Sequence, residues 1–477
     1  MNVNIIDSIY CNGDFITPDV SKQTDIINPA NDEVIGNVIL CSNKEVDLAV
    51  NAARTAFYTF SKSSRKERYD LIQKIVALLK KNNDELARLM TLEMGAPDSL
   101  SRTAQVGAGV AQFENAAKAL MAFSEFEDIG DSRIIREATG VVGLITPWNW
   151  PLNQIACKVA PALAAGCTIV LKPSEKSPLS AQLFAKILHQ AGVPKGVFNL
   201  IHGDGVVGEA IASHQDIDMV SFTGSTRAGI AVAISAAPTV KKVHQELGGK
   251  SANIMLEDVD LNTVIPKAIH DCFGNSGQSC NAPTRLLVHE SIYDQAVIIA
   301  AKTANDIVVG DPQDVNTVLG PVANKDQYAH IQNLIEKGIA EGAVVAAGGL
   351  GRPDGLTKGC YVKPTILSQV NNDMSVAQEE IFGPVLVVIP FSTDEEAVAI
   401  ANASPYGLSA YVTSTDRSRS LSIAEKIRAG QVHINGAPVD LNLPFGGFKC
   451  SGNGREWGKY GLLDYFEVKS LVGYHNS

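Results

Sequence analysis

A regular alternation of strand-like and helix-like segments, beginning at Val141, limits the fold more than any other feature of this 477-residue chain. Short apolar runs bounded by Gly and Pro predict strands, and the longer amphipathic runs between them predict helices. The predicted strands cover residues 141–146, 168–172, 197–201 and 219–222, and the predicted helices cover 151–165, 179–191, 206–213 and a segment from about 226. The pattern predicts an open parallel sheet with helices on both faces, which binds ligands at the carboxyl ends of its strands.

The rest of the chain indicates further structural units, since 477 residues exceed one core of ordinary size. The other predicted elements are helices over 44–60, 65–94 and 103–123, a hairpin over 125–137, a second alternating region over 252–435 and a strand-like tail over 465–474. Gly130-Asp131 forms the tip of the hairpin. Such a hairpin either pairs with another subunit or stays a solvated loop.

Composition and charge exclude several classes of protein. The formal charge of −11 leaves no basic face for nucleic acid. The N-terminal segment lacks a basic stretch followed by an apolar run, and no stretch reaches the ~18 apolar residues of a membrane span. Eight unevenly spaced cysteines without zinc spacing argue against a disulfide framework and a bound metal. We therefore expect a cytoplasmic protein with no membrane or nucleic-acid partner.

Cys280 ends the segment FGNSGQSC, in which glycines and small polar residues let the backbone approach a ligand. This context is typical of a thiol nucleophile. The alternative is that Cys280 is an inert, buried thiol, which is the commonest state of cysteine. A second segment, HQELGGK over 244–250, supplies Glu246 as a candidate base. His244 is either a further base or a satisfied loop histidine.

Two sets of residues at strand ends are candidates for binding a dinucleotide. The segment GDGVVG over 203–208 matches G-x-G-x-x-G, but the next strand ends in Phe222 without the usual acid. Either these glycines make only a tight turn, or the dinucleotide crosses the sheet in an unusual way. Lys172 and Glu175 follow a buried strand, where they either bind ribose hydroxyls or belong to a solvated loop. A carboxylate there would repel a 2′-phosphate, which favours NAD over NADP.

The chain resembles the aldehyde dehydrogenase superfamily over essentially its full length. The matching segments are TPWNWP (146–151), LKPSE (171–175), FTGST (222–226), ELGGK (246–250), GQSC (277–280), EEIFGPV (379–385) and PFGGFKCSGNGRE (444–456). The resemblance implies a Rossmann-like NAD-binding domain over 1–120 and 140–249 and an α/β catalytic domain over 250–447. It also implies a small β oligomerisation element over 121–139 and 460–477, and hence a homodimer or homotetramer.

The resemblance also implies roles for individual residues. Cys280 would attack the aldehyde, Asn149 and the Cys280 N–H would hold the oxyanion, and Glu246 would activate water to hydrolyse the thioester. The residues that would bind or border the cofactor are Trp148, Lys172, Glu175, Gly205, Phe222, Gly224, Ser225, Leu247, Glu380 and Phe382. The aromatic side chains of Trp148 and Phe382 could equally be core residues.

The helix after the PWNxP motif is expected to line a substrate tunnel. Trp150, Asn153, Gln154 and Cys157 would face it at helical spacing, and Val439 and Phe445 would form the other wall. The two amides favour an aldehyde with a second polar group, such as a semialdehyde. Because Ser279 and Asn281 flank Cys280, we expect oxidation to give a sulfenic acid or mixed disulfide at this residue and no intrachain bridge.

Other functions remain open at this point. A dehydrogenase that transfers the acyl group to coenzyme A tends to lack the glutamate at the position of Glu246. A thiol esterase would need no cofactor loops. A binding or structural protein that has lost activity would not need Cys280, Glu246 and Asn149 together.

Overall fold

The computed structural model describes residues 4–20 and 22–475 as short strands alternating with helices. The strands are β1 (Asn4–Ile6), β2 (Ile9–Cys11), β3 (Asp14–Ile16), β4 (Gln23–Ile27), β5 (Val34–Ile39), β6 (Phe126–Ile129), β7 (Ser132–Ala138), β8 (Val141–Ile145), β9 (Thr168–Lys172), β10 (Phe198–Leu200), β11 (Met219–Thr223), β12 (Lys242–Glu246), β13 (Ala252–Met255), β14 (Arg285–His289), β15 (Val344–Ala347), β16 (Thr365–Ser368), β17 (Val385–Phe391), β18 (Ser409–Thr413), β19 (Gln431–Ile434), β20 (Gly452–Asn453) and β21 (Phe466–Leu471).

The helices are α1 (Asn43–Phe60), α2 (Arg65–Lys81), α3 (Asn83–Met94), α4 (Asp98–Leu100), α5 (Val106–Ala122), α6 (Pro151–Ala165), α7 (Pro178–Ala191), α8 (Gly205–Ser213), α9 (Thr226–Ala236), α10 (Leu261–Phe273), α11 (Tyr293–Asn305), α12 (Lys325–Ala340), α13 (Ser375–Gln378), α14 (Asp394–Asn402), α15 (Arg417–Ala424) and α16 (Gly458–Leu463). A π-helical turn, Ser101–Gln105, precedes α5.

The first large sheet has the strand order β20-β12-β11-β8-β9-β10-β2-β3. The strands from β12 to β10 are parallel, and β20 and β2 pair with them antiparallel. Strands β8, β9 and β11 are buried along their whole length, as expected for parallel strands covered by helices on both faces. The alternation predicted from Val141 onward is confirmed, with element boundaries within one residue of those expected.

The second large sheet has the order β15-β16-β17-β14-β13-β18-β19 and is parallel except for the edge pair β15-β16. It is built from the second alternating region of the sequence. Cys280 lies between α10 and β14, and Glu380 lies between α13 and β17. The chain is therefore a mixed α/β protein with two parallel sheets, as predicted.

A third sheet joins the predicted hairpin to the predicted tail. Strand β7 pairs antiparallel with both β6 and β21. The turn between β6 and β7 contains Gly130, whose φ of 56° favours glycine. Several large apolar side chains of this sheet are exposed, among them Phe126 and Val468.

Two local predictions were wrong. The helix expected over 65–94 is two helices, because the Asn82 amide donates to Leu78 O at 2.8 Å and so competes with the helical backbone. Glu246 and His244 were expected in a loop, whereas both lie within β12 and are buried. Neighbouring β11 and β20 pair with this strand and fix its backbone.

Candidate active site

The segment before Cys280 turns sharply after helix α10. Asn275, Ser276 and Gly277 have φ values of 55°, 56° and 72°. A Cβ atom at Gly277 would lie only 2.1 Å from Gly383 O, so this close approach requires glycine. The turn brings Cys280 to a half-buried position at the junction of two cavities.

Asn149 is fixed against the nucleophile segment. Its side-chain Nδ2 atom donates to Gln278 O at 2.9 Å. Its backbone carbonyl oxygen accepts from Asn275 Nδ2 at 2.8 Å and from Gln105 Nε2 at 3.2 Å. The Asn149 side chain is buried and lines the larger cavity together with Cys280. An amide nitrogen carries two hydrogens, so one N–H of Asn149 remains for a ligand.

The larger cavity has a volume of about 490 Å³. Its lining includes the predicted residues Trp148, Asn149, Gly224, Ser225, Leu247, Cys280, Glu380 and Phe382. The Trp148 and Phe382 rings meet edge-on with centroids 5.5 Å apart. Phe222 lies beneath this lining in β11, since a Cβ atom at Gly224 would be 2.5 Å from its ring.

Glu380 is anchored in the larger cavity by the backbone. Its Oε1 atom accepts from Gly249 N at 2.9 Å. Burial raises the pKa of Glu380 to about 7, although the Gly249 N–H and Lys250 oppose the shift. A Cβ atom at Gly248 would lie 2.3 Å from Glu380 Oε2, so glycine at this position makes room for the carboxyl group.

Lys172, Glu175 and Gly205 lie beyond the lining of the larger cavity, at the ends of β9 and β10. Lys172 Nζ donates to Gly203 O at 2.7 Å and to Pro173 O at 3.0 Å, and it lies 3.8 Å from Glu175 Oε2. Gly205 begins α8 after its N-cap residue Asp204. A Cβ atom at Gly203 would lie 2.4 Å from the Val207 side chain, so this glycine serves the tight turn itself.

Glu246 ends β12 and is almost completely buried, with 1% of its surface exposed. Its Oε1 atom lies 3.4 Å from His244 Nε2, whereas its Oε2 atom has no hydrogen-bond partner within residues 4–20 and 22–475. Burial raises the pKa of Glu246 well above its usual value. The nearby Glu456 carboxylate adds to this shift, and Lys158 opposes it.

Lys158 and Glu456 form a buried ion pair beside Glu246 that the sequence reasoning missed. Lys158 Nζ lies 2.6 Å from Glu456 Oε1 and donates to Ser221 Oγ at 2.9 Å. Burial is the largest single effect on Lys158 and disfavours its charge, but Glu456, Cys157 and Glu246 together outweigh it and the pKa of Lys158 is raised. The available signal was a single lysine inside the otherwise uncharged helix α6.

The Cys280 thiol has a raised pKa in this environment. Burial is the main cause, and the carboxyl groups of Glu380, Glu246 and Glu456 add to it. The thiol is therefore protonated at neutral pH, and its reaction as a nucleophile requires a base to remove the proton.

The smaller cavity has a volume of about 320 Å³ and opens onto Cys280 and Glu246. The predicted residues Trp150, Asn153, Gln154, Val439 and Phe445 line it, together with Ala104, Ala108, Ser279, Leu441 and Trp457, which sequence reasoning missed. Trp150 Nε1 donates to Ser279 Oγ at 2.8 Å, and Asn153 Oδ1 accepts from Gln112 Nε2 at 3.1 Å.

Cys157 lies behind this wall. Its side chain is buried in an apolar cluster that includes Leu408, Phe445 and Trp457. The prediction that Cys157 faces the tunnel assumed that helix α6 has one exposed face. All 15 residues of this helix are buried, so helical spacing alone could not distinguish the tunnel side from the core side.

The part of the chain that the structure describes lacks two features. It contains no cluster of three or more His, Cys, Asp or Glu side chains suited to a metal ion. None of its helices is long and apolar enough to cross a membrane.

A half-buried cysteine, a nearby buried carboxyl group and a cavity at the carboxyl ends of parallel strands define a thiol-dependent enzyme that uses a bound nucleotide. The model of the aldehyde dehydrogenase family matches residues 15–471, and the chain belongs to this family. It is an NAD-dependent aldehyde dehydrogenase. The cofactor residues fit NAD, because Gly224 and Gly248 border the larger cavity without side chains and the half-buried Glu380 carboxyl lines the same cavity.

Three relatives illustrate this similarity. A 3-succinoylsemialdehyde-pyridine dehydrogenase from a Pseudomonas species is 50% identical over 98% of both chains. A mutant of aldehyde dehydrogenase C from Pseudomonas syringae, crystallised with NAD+ and octanal, is 48% identical, with a TM-score of 0.98 over 99% of this chain and 97% of that one. An NAD+ complex of aldehyde dehydrogenase from Bacillus cereus is 40% identical, with a TM-score of 0.95 over 98% and 96%.

Proposed function

We propose that the protein oxidises a polar aldehyde, such as a semialdehyde, to its carboxylate through an acyl thioester on Cys280. The observation that supports this most is the position of Cys280 at the junction of the two cavities. Glu380 lines one cavity and Glu246 lines the other. Aldehyde and nucleotide can thus approach the same sulfur from different sides.

The first half of the reaction forms the thioester. After the thiol has passed its proton to a water molecule, Cys280 Sγ adds to the aldehyde carbon to give a thiohemiacetal. The oxygen accepts hydrogen bonds from Asn149 Nδ2 and the Cys280 N–H, donors of a kind that contribute ~10²–10³ in rate each. Bound NAD supplies the acceptor for the hydride that leaves this carbon.

The second half hydrolyses the thioester. Glu246 takes a proton from water, the resulting hydroxide adds to the acyl carbon, and Cys280 leaves as the thiolate. The carboxylic acid product then ionises.

Glu246 favours this route over acyl transfer to coenzyme A, and an assay with and without coenzyme A tests the alternative. Release of acyl-coenzyme A as the main product would contradict hydrolysis.

The substrate proposal depends on polar atoms in the smaller cavity. Gln154 Oε1 and Trp457 Nε1 are buried and have no hydrogen-bond partner in the described chain. A second polar group on the aldehyde could pair with them, which is consistent with the semialdehyde named for the Pseudomonas relative. The octanal in the other structure indicates that related cavities also hold apolar chains. Simple alkyl aldehydes with kcat/KM equal to or above that of semialdehydes would contradict the proposal.

We also propose a preference for NAD over NADP, with the roles given above for Lys172, Glu175 and Gly205. A carboxylate at position 175 would repel a 2′-phosphate. Glu175→Gln is therefore expected to lower the ratio of kcat/KM for NAD to that for NADP by about tenfold, which corresponds to ~1.4 kcal/mol of lost discrimination. An unchanged ratio would remove Glu175 from cofactor selection.

The same proposal includes the domain division given by the sequence and a cytoplasmic homodimer or homotetramer. The exposed apolar side chains of the β6-β7-β21 sheet support assembly through that element. Light scattering of the purified protein measures its mass, and a monomer would contradict the proposed assembly. Cell fractionation tests the location.

Cys280→Ala is the decisive variant for the chemistry. We expect no detectable NADH formation from any aldehyde, because the acyl carrier is lost. Cys167→Ala is the matched control, since it removes a buried thiol from a separate core cluster, away from the residues that line the two cavities. A Cys280→Ala enzyme that kept aldehyde-dependent NADH formation would overturn the assignment.

A further inference from the structure

His244 and Glu246 point the same way from β12, because side chains two residues apart share one face of a strand. His244 Nε2 lies 3.4 Å from Glu246 Oε1 within hydrogen-bonding geometry. The imidazole is buried, with 2% of its surface exposed. The proposed reaction leaves this histidine without a role.

Asp464 approaches the other side of the same ring. Its Oδ2 atom lies 3.2 Å from His244 Nδ1, although the angle is outside the range of a good hydrogen bond. The same oxygen accepts from Arg455 N at 2.8 Å, and a quarter of the Asp464 side chain is exposed. A Cβ atom at Gly454 would lie 2.8 Å from both Asp464 Oδ2 and His244 Cδ2, so glycine there lets the two groups approach.

The charges around His244 favour a neutral ring. Burial is the main cause that lowers the pKa of His244 to about 4, and Lys158 and Lys242 act in the same direction. The carboxylates of Glu456 and Asp464 oppose the shift. Arg455, whose backbone contacts Asp464, adds positive charge near Glu246. His244 is therefore uncharged at neutral pH.

A neutral imidazole carries one N–H and one lone pair. The Asp464 carboxylate stabilises the proton on Nδ1, which leaves the Nε2 lone pair directed at Glu246. Glu246 can satisfy that lone pair only as the protonated acid, because a carboxylate has no hydrogen to donate. The geometry thus selects the protonated form of Glu246.

We propose that His244, oriented by Asp464, is a positioning residue that accepts a hydrogen bond from the Glu246 acid and so sets the pH range in which Glu246 acts as a base. The inference builds on the proposed role of Glu246 in thioester hydrolysis. A hydrogen bond to the neutral form makes deprotonation harder. Loss of the acceptor should therefore extend hydrolysis to lower pH.

The measurement is the decay of acyl-Cys280, followed by intact-mass spectrometry after rapid mixing, as a function of pH. His244→Leu removes the hydrogen-bond acceptor. We expect the acid limb of the decay rate to move to lower pH by about one unit, which corresponds to a tenfold lower proton affinity of Glu246. His244→Gln can place an amide oxygen near the position of Nε2, and we expect it to keep the limb within a few tenths of a unit of wild type.

Asp464→Asn provides a second variant at a partly exposed position, in case His244→Leu does not fold. It removes the charge that orients the ring, and we expect a smaller shift in the same direction. His202→Leu controls for the loss of a buried imidazole, since His202 follows β10 and pairs with Gln182 of helix α7. We expect wild-type pH dependence for this control.

The proposal would be overturned if the acid limb of the decay rate stayed at the same pH, or moved to higher pH, in a folded His244→Leu variant. If His244→Leu does not fold, the same outcome in Asp464→Asn would overturn it. An equal shift in His244→Gln and His244→Leu would also overturn it, because a lost acceptor would then not be the cause. Failure of the underlying reaction would look different. In that case the acid limb of the decay rate would persist in the Glu246→Gln variant, and this result would show that Glu246 has no role in hydrolysis.

Discussion

Glu380 and Glu246 lie on opposite sides of Cys280, one in each cavity, yet the protein treats the two carboxyl groups differently. Glu380 accepts a hydrogen bond from the Gly249 backbone, which holds it in one place. Glu246 has only a long contact with His244, and its second oxygen has no partner among residues 4–20 and 22–475. An anchored carboxyl group suits binding, and a loosely held one suits proton transfer.

The charged neighbours of Glu380 and Glu246 also differ. Glu380 faces the positive charge of Lys250, which moderates the effect of burial on its pKa. Glu246 faces Glu456, whose charge adds to the effect of burial. The pKa of Glu246 thus depends on a network of charged neighbours. Replacing each glutamate with glutamine, which exchanges one carboxyl oxygen for an amide nitrogen, tests this contrast.

The largest effect is expected for Glu246→Gln. The amide cannot take a proton from water, so the steady-state rate should fall by ~10²–10⁴, the usual contribution of general acid–base catalysis. A stopped-flow burst of NADH should remain, because thioester formation precedes hydrolysis. Steady-state release of carboxylate at the wild-type rate would show that another group activates water.

Glu380→Gln is expected to act on the nucleotide instead. Loss of a charged hydrogen-bonding partner, ~1.5–3 kcal/mol, should lower kcat/KM for NAD by about 10–100-fold. In the wild-type enzyme, kcat/KM for NAD should rise as the pH passes through about 7, because Glu380 then becomes the carboxylate that accepts from ribose hydroxyls. The variant should lose this rise. An equal fall in kcat/KM for every aldehyde at saturating NAD would argue against a role confined to the cofactor.

The smallest effect is expected for Trp457→Phe in the smaller cavity. The variant keeps an aromatic ring but loses the unpaired N–H together with the five-membered ring of the indole, so kcat/KM for a semialdehyde should fall by about fivefold, or ~1 kcal/mol. Octanal should be unaffected, which makes it the internal control. A matching loss with octanal would indicate a change in packing against Phe445, whose ring stacks on Trp457 at 4.3 Å.

Local sequence patterns were sufficient for strands β8 to β11 of the first sheet, because these strands are short apolar runs separated by clear turns. They also singled out the candidate segments around Cys280 and Glu246, because these segments are contiguous in the sequence. They failed for the neighbours of Glu246. Lys158 and Glu456 are 298 positions apart, and no local pattern connects them.

The helix α6 shows a second limit. Periodicity identifies a buried face only where the opposite face is exposed. Helix α6 is covered on all sides, so Asn153 and Cys157 looked equivalent in the sequence although they occupy opposite sides of a wall. The strand that carries His244 was missed for a different reason, because the β12 segment, KVHQE, is too polar to be recognised as a buried strand.

The two-residue strand β20 completes the first sheet beside β12 and leads directly to Glu456. During synthesis more than nine tenths of the chain is therefore made before the edge strand beside Glu246 exists. Nascent chains fold from the N-terminus as domains emerge. The acidic side of the catalytic centre must consequently assemble last, so a prematurely terminated chain would carry the Cys280 thiol without the groups that control its chemistry.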